Sequence, residues 1–451
     1  KAFHRALHSL LPFLCASSTS RRVIQCAYIN RRQELLFMNI VDLFSGAGGL
    51  TFGFYYNLID GQFHRSNNRF IFANEYSQAA AKAFLLNFPD IRMENCDIRN
   101  LDENKIRCLI QDSLPDDEEV DIIIGGPPCQ SFSTVGQRIY DDKAMLYTEY
   151  LRILQIVRPK VFLFENVKGI LSMRETFYKR DENGEIEYRV LKNKHTGKES
   201  KRPIISHYGE KVIDIIEKSC ANIKDGFGYK VTKKVLNAVN YGVPENRERV
   251  FIIGIRNDID ADFDWDIEES RHITIEEAIS DFPPLREGEC TYNYTDTPRN
   301  DFQALMRGNN PVITQLFCGV YGDKIRTVIE HIAQGQGKDD FNLLVDAGVI
   351  DERYRLTSGY HNTYGRLIAN QPSTTITNNM CTPSGLRCIH YEQNRALSPR
   401  EGARIQSFPD WFKFYGTRTE VTKQIGNAVP PILALQIANK VYELFEVRGN
   451  E

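Results

Sequence analysis

The chain has 451 residues, 42% of them hydrophobic, and a formal net charge of −3. That length and apolar content support a large buried core divided over two or three domains rather than one. The near-neutral balance excludes a histone-like polycation but allows a local basic cleft, so nucleic acid stays open as a partner.

Ten cysteines never form a C-x-x-C pair, so their spacing encodes neither a zinc site nor a disulfide framework, and no metal is expected. A reducing cytoplasm is the expected compartment. At the N-terminus, Lys1, Arg5 and the apolar stretch Leu7 to Ala16 imitate a short signal peptide. Met38 stands directly before "NIVDLFSGAGG", where the first core strand is expected, so residues 1–37 read as an extension outside the fold. No other run approaches the roughly 20 apolar residues that a membrane span needs.

Strand-like apolar runs then recur with helical stretches between them: Ile40 to Phe44, Arg69 to Asn74, Val120 to Ile124, Val161 to Phe164, Lys230 to Val235 and Arg249 to Ile255. This alternation predicts an α/β fold with an open, doubly wound, mostly parallel sheet over residues 38–256. Ligands of such sheets sit beyond the carboxyl ends of the strands. Residues 174–202 form a charge-dense insertion, and its second half, "KNKHTGKESKR", carries five basic residues against one acidic one. It reads as a solvated loop or as an arm that contacts phosphates. From 257 to 377 the alternation fades into segments rich in Asn, Gly, Thr and Tyr, which predicts a second, smaller domain. Residues 378–451, with "LSPREGARIQSFPD" and "AVPPILALQIANKVYELF", read as a return of the chain to the first domain.

Several polar motifs follow the strand ends. "DLFSGAGGL" (42–50) closes a strand and opens a helix with three glycines, which lets backbone approach a ligand closely. Glu75 ends the next strand-like run, where a carboxylate accepts hydrogen bonds from a ribose diol, and Asp97 in "NCDI" could hold an adenine amino group. Together they describe an adenosine-type pocket that suits NAD and S-adenosylmethionine equally. In "GGPPCQSFS" (125–133), Cys129 sits on a proline-braced turn at the carboxyl edge, where a thiolate can both attack and leave. "FENVKGI" offers Glu165 next to that turn, as a helix cap or as a proton donor with a raised pKa. "ENRERVFIIG" sets Arg247 and Arg249 two apart on an incoming strand, hence on one face, where paired guanidiniums would polarise a carbonyl or hold a phosphate.

These motifs, followed by "RALSPREGARIQSFPD" and "QIGNAVPP", stand in the order found in bacterial-type DNA (cytosine-5)-methyltransferases, which the chain resembles from residue 39 to 445. The resemblance implies a Rossmann-like catalytic domain with a target-recognition domain, and S-adenosylmethionine as cofactor. It implies a pocket lined by Phe44, Ser45, Gly46, Gly48, Gly49, Leu50, Glu75, Tyr76, Asp97, Ile98, Pro128, Asn427 and Val429. Cys129 would attack C6 of a flipped cytosine, Glu165 would hold or protonate N3, and Arg247 and Arg249 would bind O2 and nearby groups. Gln130, Ser131, Ser133, Gln137 and Arg138 would belong to a closing loop on the DNA. Asn362 and Arg366 would be candidate base readers within the recognition region, residues 286–375.

One departure from the family pattern is Glu245, where the arginine motif usually begins with Gln. It is expected to alter local charge near the DNA. The implied partners are double-stranded DNA and a restriction endonuclease acting independently, with the chain itself a monomer in the bacterial cytoplasm or nucleoid. Methylation of tRNA cytosine on the same scaffold, or a catalytically silent DNA-binding homologue, are the alternatives.

Overall fold

The computed structural model describes residues 37–128, 145–192, 199–223, 228–357 and 359–446. Its strands in chain order are β1 (Asn39–Leu43), β2 (Tyr56–Ile59), β3 (Gln62–Arg65), β4 (Arg69–Asn74), β5 (Met93–Glu94), β6 (Ile122–Gly125), β7 (Val161–Val167) and β8 (Arg174–Tyr178). There follow β9 (Tyr188–Lys192), β10 (Glu199–Pro203), β11 (Ile205–Lys211), β12 (Tyr229–Asn237), β13 (Glu245–Asn246), β14 (Glu248–Arg256) and β15 (Ser373–Thr374). Seven of them form the central sheet in the order β12-β14-β7-β6-β1-β4-β5. Pairing is parallel from β7 across to β5, and β14 runs antiparallel between β7 and β12.

The helices interleaved with these strands are α1 (Gly49–Tyr55), α2 (Gln78–Asn87), α3 (Glu103–Gln111), α4 (Leu146–Val157) and α5 (Val212–Ala221). The inner strands β1 and β6 are buried on both faces, which is why β6 reads as a continuous apolar run rather than an alternating one. Alternate residues feed opposite clusters. Ile40, Ile122 and Ile124 join one, while Val41, Leu43 and Ile123 join the other with residues of α3, α4 and α5. Met38 is wholly buried and its N–H donates to Asn68 Oδ1 at 2.9 Å, so that residue belongs to the packed fold.

Beyond β14 the chain forms four short helices, α6 (Ile275–Ile279), α7 (Asp301–Arg307), α8 (Asp323–Glu330) and α9 (Lys338–Asp346). It then returns through α10 (Pro399–Ile405), α11 (Arg418–Asn427) and α12 (Pro431–Glu446). Capping boxes at Thr274, Ser398 and Thr417 start α6, α10 and α11. Ile275, Ala278, Ile313 and Ile376 share a hydrophobic cluster with α1 and α12, so the 257–377 segment packs on the catalytic sheet's layer. A small cluster of its own gathers Val328, Ile332, Phe341 and Val345. A buried ion pair of Arg404 with Asp281 locks the return segment to this region, and Arg404 with Asp410 and Arg395 with Glu401 at 2.7 Å brace the return segment itself.

Candidate active site at the carboxyl rim of the sheet

The loop after β1 is fastened to the end of β4. Phe44 turns the chain with a φ of 57°, and the Ser45 N–H donates to the Asn74 carbonyl at 3.0 Å. Glu75 follows β4, its Oε2 accepting from the Gly46 N–H at 2.9 Å and its Oε1 from the Ser77 N–H at 2.7 Å. Burial pushes the Glu75 carboxyl up, and those backbone donors oppose it. A carboxylate has about four acceptor positions, so a diol can still be held. A Cβ built on Gly46 would meet nothing within 4 Å, which leaves open space above the loop. Gly49 is the opposite case, because a Cβ there would lie 2.4 Å from the Val429 carbonyl oxygen. Only glycine lets the start of α1 press against the segment that leads into α12.

Asp97 caps the turn Ile98–Asn100 and pairs with Arg99 at 2.6 Å, which holds its carboxyl below the usual range. Ile98 and Leu50 are buried beneath this loop cluster, whereas Tyr76 is 76% exposed and Asn427 is exposed. Under the glycine loop lies Asp42, 1% exposed, with the Thr51 hydroxyl bonded to it. Burial, partly offset by Thr51 and reinforced by Glu75, pushes the Asp42 carboxyl up to about 8.

The turn after β6 leans on the end of β7. A Cβ on Gly126 would sit 2.7 Å from Glu165 Oε2, and Asn166 Nδ2 donates to the Pro127 carbonyl at 3.1 Å. Pro128, half-buried, is the last described residue of this turn. Cys129 follows it in sequence and lies outside the described residues, as do Gln130, Ser131, Ser133, Gln137 and Arg138. Glu165 is 8% exposed, and burial pushes its carboxyl up against the opposing charges of Arg249 and Arg247. Arg249 Nε lies 3.1 Å from Glu165 Oε1. The antiparallel direction of β14 brings its first residues to this rim, with Arg249 opposite Val167 and Phe251 opposite Glu165. The rim thus gathers a glycine loop with a carboxyl beside open space, a braced turn leading to a thiol, and a second carboxyl with a guanidinium beside it.

The sequence pattern of the family described as C-5 cytosine-specific DNA methylase matches residues 38–190 and 203–443, nearly all of the described chain. The chain belongs to that family. Among curated relatives it is 31% identical over 438 residues to the Type II methyltransferase M.DdeI of Desulfomicrobium norvegicum, covering 91% of this chain and 89% of the relative. It is 31% identical over 412 residues to M.NgoFVII of Neisseria gonorrhoeae, covering 90% and 87%. Among solved structures, a prophage-encoded Escherichia coli protein, described as a candidate DNA modification methyltransferase, aligns with a TM-score of 0.63 at 24% identity over 91% of this chain and 99% of its own. That likeness supports the fold, and the family match makes this chain a DNA (cytosine-5) methyltransferase.

Two arginines of the methyltransferase depart from the places expected of them. Arg247 does not share a face with Arg249, because β14 starts only at Glu248 and the two-residue period does not reach back to 247. It is wholly buried and donates to the Ile376 carbonyl at 3.2 Å and to the Gly426 and Ala428 carbonyls at 2.8 Å each. Its guanidinium therefore fastens the end of α11 to the segment after β15, and it acts on Glu165 only through its charge. Glu245 is also wholly buried, 3.4 Å from Arg247 and accepting from the Ile376 N–H, so it does not alter the charge presented to DNA.

Arg366, expected as a base reader, is 5% exposed. It donates to the carbonyls of Ile329, Ile332, His390 and Gln393 and to Asn394 Oδ1, which makes it a clasp between the 257–377 segment and the returning chain. Asn362 is half-buried in the turn before it. Asn166 and Asp42 were not singled out from sequence. Their only signal was position, directly after Glu165 and within "DLFSGAGG".

Proposed function

We propose that this methyltransferase uses S-adenosylmethionine, acts through Cys129 on a cytosine turned out of duplex DNA, and serves as the modifying enzyme of a restriction-modification system. The open space at Gly46 beside the spare acceptor positions of Glu75 fits an adenosine with its ribose diol. Phe44, Ser45, Gly46, Gly48, Gly49, Leu50, Glu75, Tyr76, Asp97, Ile98, Pro128, Asn427 and Val429 are the residues that would hold the cofactor. When bound, it supplies a methyl group on a positively charged sulfur.

The observation that carries the reading is the buried Glu165 paired with Arg249 against the turn that leads to Cys129. C5 of cytosine is a weak nucleophile within an aromatic ring. Addition of the Cys129 thiolate to C6, with Glu165 donating a hydrogen bond or proton to N3, breaks the aromaticity and places electron density on C5. Arg249 is placed to hold O2 and to keep Glu165 oriented. C5 takes the methyl, loses its proton to a base, and the C6–S bond breaks as the ring rearomatises. The base must leave the stack for a thiol to reach C6. The printed description "Type II methyltransferase" of several relatives supports the restriction-modification role; the reading further has a cognate nuclease acting separately and this chain acting as a monomer. DNA carrying 5-fluorocytosine at the target should trap the protein through Cys129, because fluorine does not leave as a proton does. Active protein that forms no such adduct would overturn the mechanism.

A further inference from the structure

Nothing in the chemistry at the rim uses the long antiparallel arm that interrupts the fold between β7 and α5. Its two ends meet on the core, where the Val212 N–H donates to the Met173 carbonyl at 2.9 Å and both residues are buried. From there β8 pairs with β11, and β9 pairs with β10 further out. The Lys179 N–H to Ile204 carbonyl bond (2.8 Å) and the Ile204 N–H to Glu187 carbonyl bond (2.9 Å) join the two ladders into one structure. Lys211 back to Glu199 is twelve steps of nearly extended chain, or roughly 40 Å at ~3.3 Å per residue. That matches about one helical turn of duplex DNA, ~34–36 Å. The arm leaves the sheet directly after β7, the strand that carries Glu165, so its root lies at the catalytic rim. Residues 191–202 of its outer part also fall between the two spans matched by the family pattern, 38–190 and 203–443.

The outer ladder exposes charge that nothing in the described fold neutralises. Arg189 faces Arg202 directly across the strands, and both are exposed. Like charges in directly opposed positions destabilise a strand pair, and neither arginine forms an ion pair among the described residues. Lys201 stands on the other face with exposed Tyr188 (53%) and Val190 (56%). Of the acidic residues nearby, Glu187 is taken by Lys179 at 3.0 Å and Glu199 stands opposite Lys192. A phosphate between Arg189 and Arg202 would turn their repulsion into two charge-assisted contacts.

We propose that this arm is a sequence-independent clamp on the DNA backbone, with Arg189 and Arg202 gripping a phosphate outside the recognised site. The inference rests on the methyltransferase reading only for the identity of the polymer. Residues 193–198, at the tip, lie outside the described residues and are not part of the proposed site.

The test is equilibrium binding of the full chain to a duplex that contains the modified site and to one that lacks it, across a salt series. Arg189→Gln with Arg202→Gln should weaken both by the same factor, on the order of tenfold or more near 0.15 M salt, and flatten the slope of log K against log salt by about 0.9, the value for one lost phosphate. Arg189→Glu alone guards against misfolding, since it puts an opposite charge across from Arg202. It should melt no lower than the parent and still bind both duplexes more weakly. Unchanged affinity and slope in properly folded variants would overturn the clamp. So would a loss confined to one duplex, which means base reading, or a change in oligomeric state with DNA affinity untouched, which means a protein partner. A parent that binds DNA through the arm but methylates none would count against the functional reading and leave the clamp standing.

Discussion

Arg247→Lys should destabilise the protein without removing any group that touches the base. The guanidinium reaches Glu245 Oε1 at 3.4 Å, the Ile376 carbonyl at 3.2 Å and the Gly426 and Ala428 carbonyls at 2.8 Å. An ammonium is a point donor and cannot span carbonyls on two separate segments. Leaving buried acceptors and the wholly buried Glu245 without their donor costs about 3–5 kcal/mol. At about 2.1 cal/mol/K of unfolding entropy per residue, roughly 400 ordered residues give ~0.85 kcal/mol/K, so Tm should fall by about 4–6 °C. Arg249→Lys, at the partly open rim, should leave Tm within about 1 °C and lower the rate of methyl transfer. Differential scanning calorimetry beside single-turnover methyl transfer separates the two. If Arg247→Lys melted like the parent yet lost its chemistry, the assignment of Arg247 to structure rather than substrate would be refuted.

Asp42, raised to about 8 in the fold from an ordinary 3.8, binds its proton more tightly folded than unfolded. Its contribution is therefore fully present near pH 4 and is lost as pH rises towards 8, by up to ~1.4 kcal/mol per pH unit. Asp42→Asn should remove that component, so the difference in urea stability between parent and variant should change across pH 5–8; a constant difference would contradict it. Arg249→Met takes away the largest charge opposing the rise of the Glu165 carboxyl. The basic limb of the methyl-transfer profile should then move to higher pH while the rate at the optimum falls on the order of 100-fold. A limb that stays in place would mean that Glu165 does not govern it. Glu75→Ala should weaken S-adenosylmethionine binding in calorimetry by tenfold or more with DNA binding intact, since two charge-assisted contacts to a diol are lost. Unchanged binding would move the cofactor elsewhere.

Six of the seven sheet strands were legible in the sequence, five as mostly buried runs and the edge strand β12 by its β-branched residues among lysines. The seventh, Met93–Glu94, has two residues, too few to show any period. The glycine loop and Glu75 were legible because they directly follow strand ends, and Glu165 because it lies near the carboxyl end of β7, where an α/β sheet exposes its polar groups. The arginines were not. A two-residue spacing places Arg247 beside Arg249 only if both lie in the strand, and Arg247 precedes it. For Arg366 the usual expectation of an exposed cation failed, because five acceptors brought together from 329–332 and 390–394 surround it. No periodic pattern records such a gathering of carbonyls. The 257–377 segment was hard to read for the same reason: polar clasps from Arg366 and Arg404 hold it as much as an apolar stripe does.

Bisulfite sequencing of plasmid DNA from cells expressing the protein addresses cytosine-5 methylation most directly, with Cys129→Ser expressed in parallel. Full protection of one cytosine within a recurrent short sequence, absent in the Cys129→Ser cells, is the predicted result. Uniform conversion of every cytosine in cells that contain soluble, S-adenosylmethionine-binding protein would contradict it.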